Sequence, residues 1–589
     1  MVSRTFDIPE FCQREHPRED IFANKRNGKW RKISTSQYLN FSRLAGIGFL
    51  SLGLQKEDMV ATVCSTNIPE WNFIDMGLAR IGVIHVPVYP TISEESFEYI
   101  FRQSGVKYIF VSDQKVYTRI KPVLAHLPNL QGVYSFRKIK GLHTWMSIIQ
   151  LGRKNKIKLA EKLIKSEQSI QEKDPATLIY TSGTTGKPKG VMLSHKNMVS
   201  NLTTASRIQP LRYKDKVLSF LPLSHVYERT SNYQFQVSGA CLYYAEDISS
   251  IMKNLMEIKP HGFTAVPRVL EKIRSYYLNQ GAELKGIQRY IFLASKKLAS
   301  QYPSNHSKDI LYLLRKIILN ILVFKKIQMA LGGRIKFIGC GGARLSPKIE
   351  KFFWTAGLPV YQGYGLTETS PLISLNQKES RHIGSVGPLI PGVEVKISEE
   401  REILVKGPNV MMTYYGEAEL TREVIDDQGW FHTGDLGHMG KNNFLFIHGR
   451  KKELFKTSYG KYIAPQVIES RFRESELISQ LMVVGEGEKF AGALVLPNFD
   501  FLFKWLRSIH QIHLKDRQKL IQLPQVHSLV ENEINNINES LDSGEQIKNF
   551  QMVNQDWTIL GGEFSPSLKL RRKFIMKKYE SQVKAIYQA

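Results

Sequence analysis

Cysteine is scarce in this sequence, and its distribution excludes several kinds of site. Only four cysteines occur among 589 residues, at positions 12, 64, 241 and 340, and none forms a CxxC pair. That spacing argues against a cysteine-built zinc site and against a disulfide framework, and it favours a reducing compartment. The chain also lacks an N-terminal apolar core of signal-peptide length and any unbroken apolar run of about eighteen residues, so neither a leader nor a membrane span is predicted. We therefore expect a cytoplasmic protein.

Acidic residues are too few to balance the basic ones. The sequence has 81 Lys and Arg against 54 Asp and Glu, which gives a formal net charge of +27 and a pI of about 9.6. Such an excess indicates an anionic partner, namely nucleic acid, an anionic membrane or a polyanionic small molecule. The sequence contains no RGG tract, no zinc-finger spacing and no aromatic RNP-like strand, so no nucleic acid is expected.

Internal repeats and low-complexity segments are absent as well, and the length and composition predict a globular chain of two or more domains. Short apolar runs at residues 59–64, 84–88 and 106–111 alternate with helical patterns. This alternation predicts an α/β fold with mostly parallel sheets wrapped by helices. Composition and pattern change after Gly449. We expect a large N-terminal domain over residues 1–450 and a small α+β domain over residues 451–589.

A helical insertion is predicted over about residues 268–332. Within it, residues 310–327 (ILYLLRKIILNILVFKKI) form an apolar run that is interrupted by Arg315, Lys316, Lys325 and Lys326. The run is too charged to span a bilayer. Two interpretations stay open: a core-packing helix, which the pattern favours, and an interfacial helix that lies on an anionic membrane.

The most informative segment is TSGTTGKPKG at residues 181–190, directly after a strand-like run at residues 176–180. Its glycines let backbone N–H groups approach an anion closely, while its hydroxyls and two lysines add donors and positive charge. It is not a Walker A loop, because Gly183 and Gly186 are only three residues apart and Pro188 follows the lysine. The segment predicts a phosphate-binding loop made of Thr181, Ser182, Gly183, Thr184, Thr185, Gly186, Lys187 and Lys189.

Followed by VMLSH, this loop resembles the signature of the adenylate-forming superfamily, which includes acyl-CoA synthetases, luciferases and the adenylation domains of peptide synthetases. Five further motifs between residues 222 and 569 carry the same resemblance, so it covers nearly the whole chain. It implies that ATP and Mg²⁺ bind in the large domain. It also implies that the small C-terminal domain is mobile and changes position during the reaction.

The segment YQGYGLTETSP at residues 361–371 combines a flat aromatic ring, close-approach glycines and oxygen ligands of the kind that Mg²⁺ prefers. In the superfamily, the residue matching Tyr364 stacks on adenine, the one matching Thr367 contacts the α-phosphate region, and the one matching Glu368 helps to hold Mg²⁺. The segment GCGGARL at residues 339–345 resembles the adenine-side loop, with Arg344 in place of the usual proline. The resemblance assigns ATP or AMP binding to Gly341, Gly342, Ala343, Gln362, Gly363, Tyr364, Gly365 and Thr367, and the metal to Glu368 and Thr184.

Later motifs supply the ribose contacts, the hinge and a catalytic lysine. The segment WFHTGDL carries Asp435, which the resemblance assigns to the ribose hydroxyls of ATP, although an aspartate at this place could equally cap a turn. In HGRKKELFKTSYGKYIAPQVIE, Arg450 matches a second ribose contact and Lys452 matches the hinge. Lys456 matches a phosphate-side lysine, and Gly460 matches the loop beside the pantetheine channel of CoA. In FSPSLKLRRK, Lys569 matches the catalytic lysine.

The segment FLPLSHVYER at residues 220–229, with VPRVLEKI and the helical insertion after it, narrows the resemblance to long-chain fatty acyl-CoA synthetases. It implies that His225 lies between the acyl and phosphate ends of the site, although a structural role for this histidine stays open. The predicted function is ATP-dependent activation of a long-chain fatty acid to acyl-CoA through an acyl-adenylate, with Thr184, His225, Glu368 and Lys569 as catalytic residues.

Two alternatives to that function stay open. One is transfer of the acyl group to the pantetheine of a carrier protein, and the other is a catalytically silent lipid- or nucleotide-binding module. A lipid substrate together with the positive charge also implies peripheral contact with the inner face of an anionic membrane.

Overall fold

The structure, a computed structural model, describes residues 2–182, 187–247, 249–303, 310–509, 514, 516–559, 561–565 and 569–588; of Ser182, Ala282 and Ile509 only the backbone is described. Within these residues the strands are β1 (Phe22–Arg26), β2 (Lys29–Ile33), β3 (Met59–Val63), β4 (Ile84–Val88), β5 (Tyr108–Val111), β6 (Gly132–Ser135), β7 (His143–Thr144), β8 (Pro175–Ser182), β9 (Pro188–Ser194), β10 (Lys216–Ser219), β11 (Cys241–Tyr244), β12 (Gly262–Ala265), β13 (Phe337–Cys340), β14 (Val360–Gly365), β15 (Leu372–Leu375), β16 (Glu394–Ile397), β17 (Glu402–Lys406), β18 (Thr413–Tyr414), β19 (Phe431–Met439), β20 (Leu445–Arg450), β21 (Phe455–Lys456), β22 (Tyr462–Ile463), β23 (Ile478–Val484), β24 (Gly492–Pro497) and β25 (Asn549–Met552).

The α-helices within the same residues are α1 (Ile8–Glu15), α2 (Thr35–Ser51), α3 (Pro69–Ala79), α4 (Glu94–Ser104), α5 (Gln114–Leu124), α6 (Trp145–Lys154), α7 (Lys156–Ser169), α8 (His195–Ile208), α9 (Val226–Val237), α10 (Ile251–Ile258), α11 (Pro267–Ala282), α12 (Gly286–Ser300), α13 (Ile310–Leu319), α14 (Lys325–Ala330), α15 (Pro347–Thr355), α16 (Ala418–Val424), α17 (Pro465–Phe472), α18 (Phe499–Ile509), α19 (Arg517–Ile521), α20 (Pro524–Asn538), α21 (Arg572–Lys578) and α22 (Glu580–Tyr587). A π-helical segment, Asn320–Phe324, joins α13 to α14 without a break.

Two large sheets of mixed direction form the framework of the large domain. Their strand orders are β18-β9-β8-β4-β3-β5-β6-β7 and β15-β14-β13-β12-β10-β11-β1-β2. In both sheets the central neighbours are parallel and the antiparallel pairs lie at the edges. Strands β3 and β4 are buried along their whole length, as expected for parallel strands covered by helices on both faces. The predicted α/β fold with a large N-terminal and a smaller C-terminal domain is confirmed.

The C-terminal part has a hydrophobic core of its own. It packs around the three-stranded sheet β23-β24-β25, and its buried side chains run from Phe455 to Ile586. The last buried side chain of the main N-terminal core is Leu445. The boundary between residues 450 and 451 stays a prediction.

Capping residues mark the ends of two helices. Ser93 caps α4 by accepting a hydrogen bond from the Ser96 N–H at 3.3 Å, and Gly105 ends that helix with a left-handed φ of 60°. Ser346 caps α15, whose first residue is a proline. Strand β13 begins at Phe337, where its pairing with Gly262 of β12 starts.

No helix among the described residues is long and apolar enough to cross a membrane.

Candidate active site

A cleft of about 950 Å³ lies between the two domains and collects most of the predicted site residues. Its walls come from the end of β8, the start of β9, the start of α9, the loop after β13, the end of β14, the β19–β20 pair and residues 569–572. These predicted residues line it: Thr181, Lys189, His225, Gly341, Gly342, Ala343, Gln362, Gly363, Tyr364, Gly365, Thr367, Glu368, Asp435, Arg450, Lys452 and Lys569.

The described ends of the predicted phosphate loop lie on two paired strands. Strands β8 and β9 pair in an antiparallel register that sets Thr181 opposite Lys189, whereas the sequence predicts a strand only before the loop. Lys189 points its ammonium group over the Tyr414 ring, 5.2 Å from the centroid. Lys187 is exposed and lies over the Tyr99 ring. The structure does not describe residues 183–186 or the Ser182 side chain, so the calls on Gly183, Thr184, Thr185 and Gly186 lie outside it.

Tyr364, Asp435 and Arg450 form one hydrogen-bonded group. Asp435 and Arg450 are direct neighbours across β19 and β20, and the Arg450 Nε donates to Asp435 Oδ1 at 3.0 Å. The Tyr364 hydroxyl donates to Asp435 Oδ2 at 2.8 Å. The Asp435 carboxylate raises the pKa of Arg450 above its ordinary value. The aspartate is therefore a charged acceptor fixed from two sides, and a turn cap does not account for these bonds.

Glu368 stands just beyond β14, in the single turn Thr367–Thr369. The Tyr414 hydroxyl donates to its Oε1 at 2.8 Å. Gly365 lets the end of β14 lie close to Pro371, because a Cβ at this position would lie 1.7 Å from the Pro371 carbonyl oxygen. Tyr414 thus connects Glu368 with Lys189 on β9, and a carboxylate and an ammonium group face the same part of the cleft.

The donor set suits magnesium better than a metal held by protein alone. Among the described residues, no group of three or more His, Cys, Asp or Glu side chains is placed to hold a metal ion. Mg²⁺ usually takes one or two protein carboxylates and completes its shell with water and substrate phosphates. Glu368, one of the carboxylates that line the cleft, fits that pattern as a single protein ligand.

The adenine-side loop follows β13 and carries Gly341, Gly342 and Ala343. Gly342 has a left-handed φ of 82°. Arg344, which replaces the proline usual in the superfamily, also lines the cleft. On the neighbouring strand, the side-chain oxygen of Gln362 is buried and has no hydrogen-bond partner within the described part of the chain. That oxygen is available to a donor on a ligand.

His225 is the N-cap of α9. Its Nδ1 accepts a hydrogen bond from the Tyr227 N–H at 3.1 Å. Burial, together with the positive charge of Lys569, lowers the pKa of His225 to about 4. The ring is therefore neutral at neutral pH, and with Nδ1 accepting, its proton is on Nε2. His225 can donate one hydrogen bond into the cleft, and it also has the structural role that the sequence left open.

Lys569 reaches the cleft from the small domain. Its backbone is fixed by a close pairing with Ser565, whose N–H donates to the Lys569 carbonyl at 2.8 Å. The surrounding cleft walls displace water from the ammonium group and Arg450 repels it, so the pKa of Lys569 is lowered, although the side chain keeps access to solvent through the open cleft. The negative charges of Asp435 and Glu368 raise the pKa of Lys569 and so offset part of this lowering.

Two predicted residues lie apart from the others. Lys456 and Gly460 belong to the β21–β22 hairpin, are exposed, and are not among the described residues that line the cleft. The Lys456 ammonium lies over the Tyr462 ring, 5.5 Å from its centroid. Lys452 lines the cleft in the turn Lys451–Glu453, directly after β20. In this arrangement the cleft therefore holds Lys569 and not the Gly460 loop.

Sequence reasoning missed the residues that support this site. Tyr414 holds Glu368, yet it occurs in a run, MMTYYG, that has no spacing signal. Arg229 is buried and pairs with Asp75 at 2.5 Å, and its neighbour Glu228 accepts a hydrogen bond from the Ser219 hydroxyl at 2.6 Å. Since Asp75 lies on α3 and Ser219 on β10, the side chains of Arg229 and Glu228 fix α9, and with it His225, between a helix and a strand. Glu228 and Arg229 end the segment FLPLSHVYER, so that motif is the sequence signal that could have identified them.

Comparison with known proteins gives matches along nearly the whole chain. The model of the AMP-binding enzyme family matches residues 10–415, and that of the AMP-binding enzyme C-terminal domain matches residues 453–589. The long-chain-fatty-acid--CoA ligase FadD15 of Mycobacterium bovis is 31% identical over 582 residues, which cover 97% of this chain and 96% of that relative. The long-chain-fatty-acid--CoA ligase ACSBG2 of Xenopus laevis is 31% identical over 605 residues, with 96% of this chain and 81% of that relative covered.

A solved structure shares the fold. The A domain of a carboxylic acid reductase from Segniliparus rugosus, in complex with AMP and a co-purified carboxylic acid, superimposes with a TM-score of 0.74 at 20% identity, over 99% of this chain and 94% of that one. At this identity the likeness concerns the fold alone.

Proposed function

Because this chain belongs to the AMP-binding enzyme family, we propose that it is a long-chain fatty acid--CoA ligase that forms AMP. It activates a fatty acid with ATP, passes through an acyl-adenylate, and releases pyrophosphate, AMP and acyl-CoA. The observation that carries this proposal is the cleft in which the Tyr364, Asp435 and Arg450 group, Glu368 and Lys569 converge. This arrangement supplies a ribose acceptor, a metal ligand and cations around one small volume.

In the first step the fatty carboxylate attacks the α-phosphorus of ATP, and pyrophosphate leaves. Asp435 accepts the ribose hydroxyls, and the Tyr364 ring lies against adenine. Lys189 and Lys569 stabilise the negative charge that gathers on the phosphates as the new bond forms, while the His225 Nε2 proton is available to the acyl oxygen. Catalysis here is mainly positioning and charge stabilisation by preorganised groups.

Magnesium is the metal that fits this step. Glu368 would hold it, together with Thr184 and the nucleotide phosphates, and it would neutralise charge on the phosphates while they react. Tyr414, by donating to Glu368, orients the carboxylate for that task.

In the second step the CoA thiol attacks the acyl carbonyl, and AMP is the leaving group. Lys569 is not needed here, and the Gly460 loop is. We infer that the small domain, over residues 451–589, turns about Lys452 between the steps, withdrawing Lys569 and bringing the Gly460 loop to the cleft. The exposed position of Gly460 and Lys456 beside a cleft that holds Lys569 supports this order, since the arrangement suits the first step. Domain rotation is a common way for one site to serve two reactions.

The acyl acceptor is CoA and not a carrier protein, in keeping with relatives named as CoA ligases over 96% and 97% of this chain. We also propose that the enzyme works in the cytoplasm, in peripheral contact with the inner face of a membrane. Its substrate partitions into bilayers, and its net charge of +27 favours an anionic surface.

Exchange of labelled pyrophosphate into ATP tests the adenylation step on its own. In the absence of CoA, exchange should depend on both fatty acid and Mg²⁺, because acyl-adenylate formation is reversible. Glu368→Gln should reduce exchange, whereas Glu399→Gln, a change of the same kind at a glutamate outside the cleft, should not. Exchange that needs no fatty acid would contradict the proposal.

A further inference from the structure

The helix at residues 310–330 has a narrow buried stripe that faces the protein and a wide exposed face that is also apolar. Tyr312, Val323, Phe324 and Ile327 are buried and anchor the helix to the large domain. Eight aliphatic residues outside this stripe are between 46% and 73% exposed: Ile310, Leu311, Leu313, Leu314, Ile317, Ile318, Ile321 and Leu322. They cover about 18 Å of helix length. Such a continuous row is rare on the surface of a soluble monomer and marks an interaction site.

The adjacent helix α12 extends this surface. It packs against α13, and its own Ile287, Tyr290 and Leu293 are exposed. The two helices share a small core in which Phe292 meets Val323. The apolar surface therefore rests on a packed helical layer and is not a frayed end.

The segment of sequence that carries this surface has charges of almost one sign. Between Glu283 and Glu350 the sequence has 13 Lys and Arg and a single acidic residue, Asp309. Arg315, Lys325 and Lys326 are exposed on the helix itself. Lys316 is not available: it donates to the Trp354 carbonyl at 3.2 Å, and burial lowers its pKa. Apolar side chains flanked by lysine and arginine are the pattern of a helix lying in the interface of an anionic membrane.

The same helix is close to the lining of the cleft. Lys316 holds the Trp354 carbonyl, the Trp354 indole contacts the Tyr361 ring at 5.5 Å between centroids, and Tyr361 lines the cleft. Tyr361 in turn stacks on Phe337, another lining residue. A lipid-facing helix here is thus two contacts away from aromatic cleft walls.

We propose that the outer face of the 310–330 helix, with the exposed apolar residues of α12, docks on an anionic phospholipid surface. The aliphatic row enters the interface, and Arg315, Lys325 and Lys326 contact lipid phosphates. This inference rests on the proposed function for its purpose, since docking brings the enzyme to a bilayer that holds its fatty acid. The sequence left a core-packing and an interfacial helix open, and the structure assigns one side of the helix to each role.

Co-sedimentation with vesicles tests this docking. The vesicles contain equal parts of phosphatidylglycerol and phosphatidylcholine, or phosphatidylcholine alone, at low and high salt. Wild type should bind the anionic vesicles at low salt. The triple variant R315Q/K325Q/K326Q should bind them about 10- to 100-fold more weakly, with a smaller difference at high salt. The triple variant I317Q/I318Q/I321Q should lose at least about tenfold in binding under both salt conditions.

Helix α7 provides matched controls, because it is also lysine-rich and exposes aliphatic side chains. K156Q/K158Q/K162Q removes the same charge, and I157Q/I164Q removes exposed aliphatic surface. Both should bind vesicles as wild type does. Equal weakening by the α7 and 310–330 variants, or wild-type indifference to lipid charge, would overturn the docking surface.

Two further measurements distinguish membrane docking from self-association and from failure of the proposed function. Light scattering that finds a wild-type dimer, dissociated by I317Q/I318Q/I321Q, would assign the face to a second copy of the chain and overturn the membrane proposal. Thioester formation from palmitate supplied without vesicles should be equal in wild type and all variants. If the enzyme binds vesicles as expected but forms no thioester, the proposed function fails and the docking surface stands. If it forms thioester but does not bind anionic vesicles, the docking surface alone is refuted.

Discussion

Replacement of Lys569 by Ala should separate the two half-reactions. The Lys569 ammonium faces the same cleft as Asp435, Arg450 and Glu368, where negative charge gathers on the α-phosphate only during adenylation. Loss of one preorganised donor of this kind typically costs about 10² to 10³ in rate. We expect Lys569→Ala to lose that much in fatty-acid-dependent pyrophosphate exchange, and to keep close to wild-type rates of thioester formation from supplied acyl-adenylate and CoA.

The conservative variant Lys569→Arg adds a pH signature. Because the cleft lowers the pKa of Lys569, the wild-type ammonium loses its proton at a lower pH than an ordinary lysine, and adenylation should fall as pH rises through that value. An arginine stays charged throughout, so in Lys569→Arg the alkaline fall should disappear. Lys573→Ala, a change on α21 outside the cleft, is the control. Equal losses in both half-reactions for Lys569→Ala would refute the assigned role.

Three further predictions concern the hinge, the ribose site and a buried acid. Lys452→Pro fixes a backbone dihedral and should stop CoA-thioester formation while leaving first-turnover pyrophosphate release intact; equal loss of both would exclude the hinge. Asp435→Asn loses the ion pair with Arg450 and should raise the Kd for ATP about ten- to hundredfold in calorimetry, and an unchanged Kd would speak against a ribose contact. Burial raises the pKa of Glu228 to about 7, so the folded protein keeps a proton that the unfolded chain releases near pH 4.3. Stability should therefore fall by about 4 kcal/mol as pH rises between those values. Thermal unfolding of Glu228→Gln should lack this fall, and a parallel pH dependence in the variant would contradict it.

Much of the fold could be predicted from sequence because its signals are local. Alternating apolar runs and helices gave the α/β class, and the caps at Ser93 and Ser346 marked where helices begin. The β8–β9 hairpin was missed because glycine, threonine and lysine predict a loop by composition, whereas the pairing of Thr181 with Lys189 depends on neighbouring strands. Long-range pairing of this kind leaves no periodic trace in the chain.

The candidate site, too, could be predicted only in part from the sequence. Its nucleotide motifs were recognisable as short segments, and those described by the structure converge on one cleft apart from Lys187, Lys456 and Gly460. Tyr414 and Arg229 were not recognised because their partners, Glu368 and Asp75, are distant in sequence. The exposure of the 310–330 helix could not be read from sequence either, since an aliphatic run looks the same whether it enters a core or faces outward.

The central claim is tested most directly by thioester formation with ATP and Mg²⁺ across saturated fatty acids of graded length, offered both CoA and acyl carrier protein. The account predicts acyl-CoA with one AMP and one pyrophosphate per thioester, a detectable acyl-adenylate before CoA is added, and a preference for long chains. Release of ADP and phosphate, or thioester formed only on the carrier protein, would contradict it.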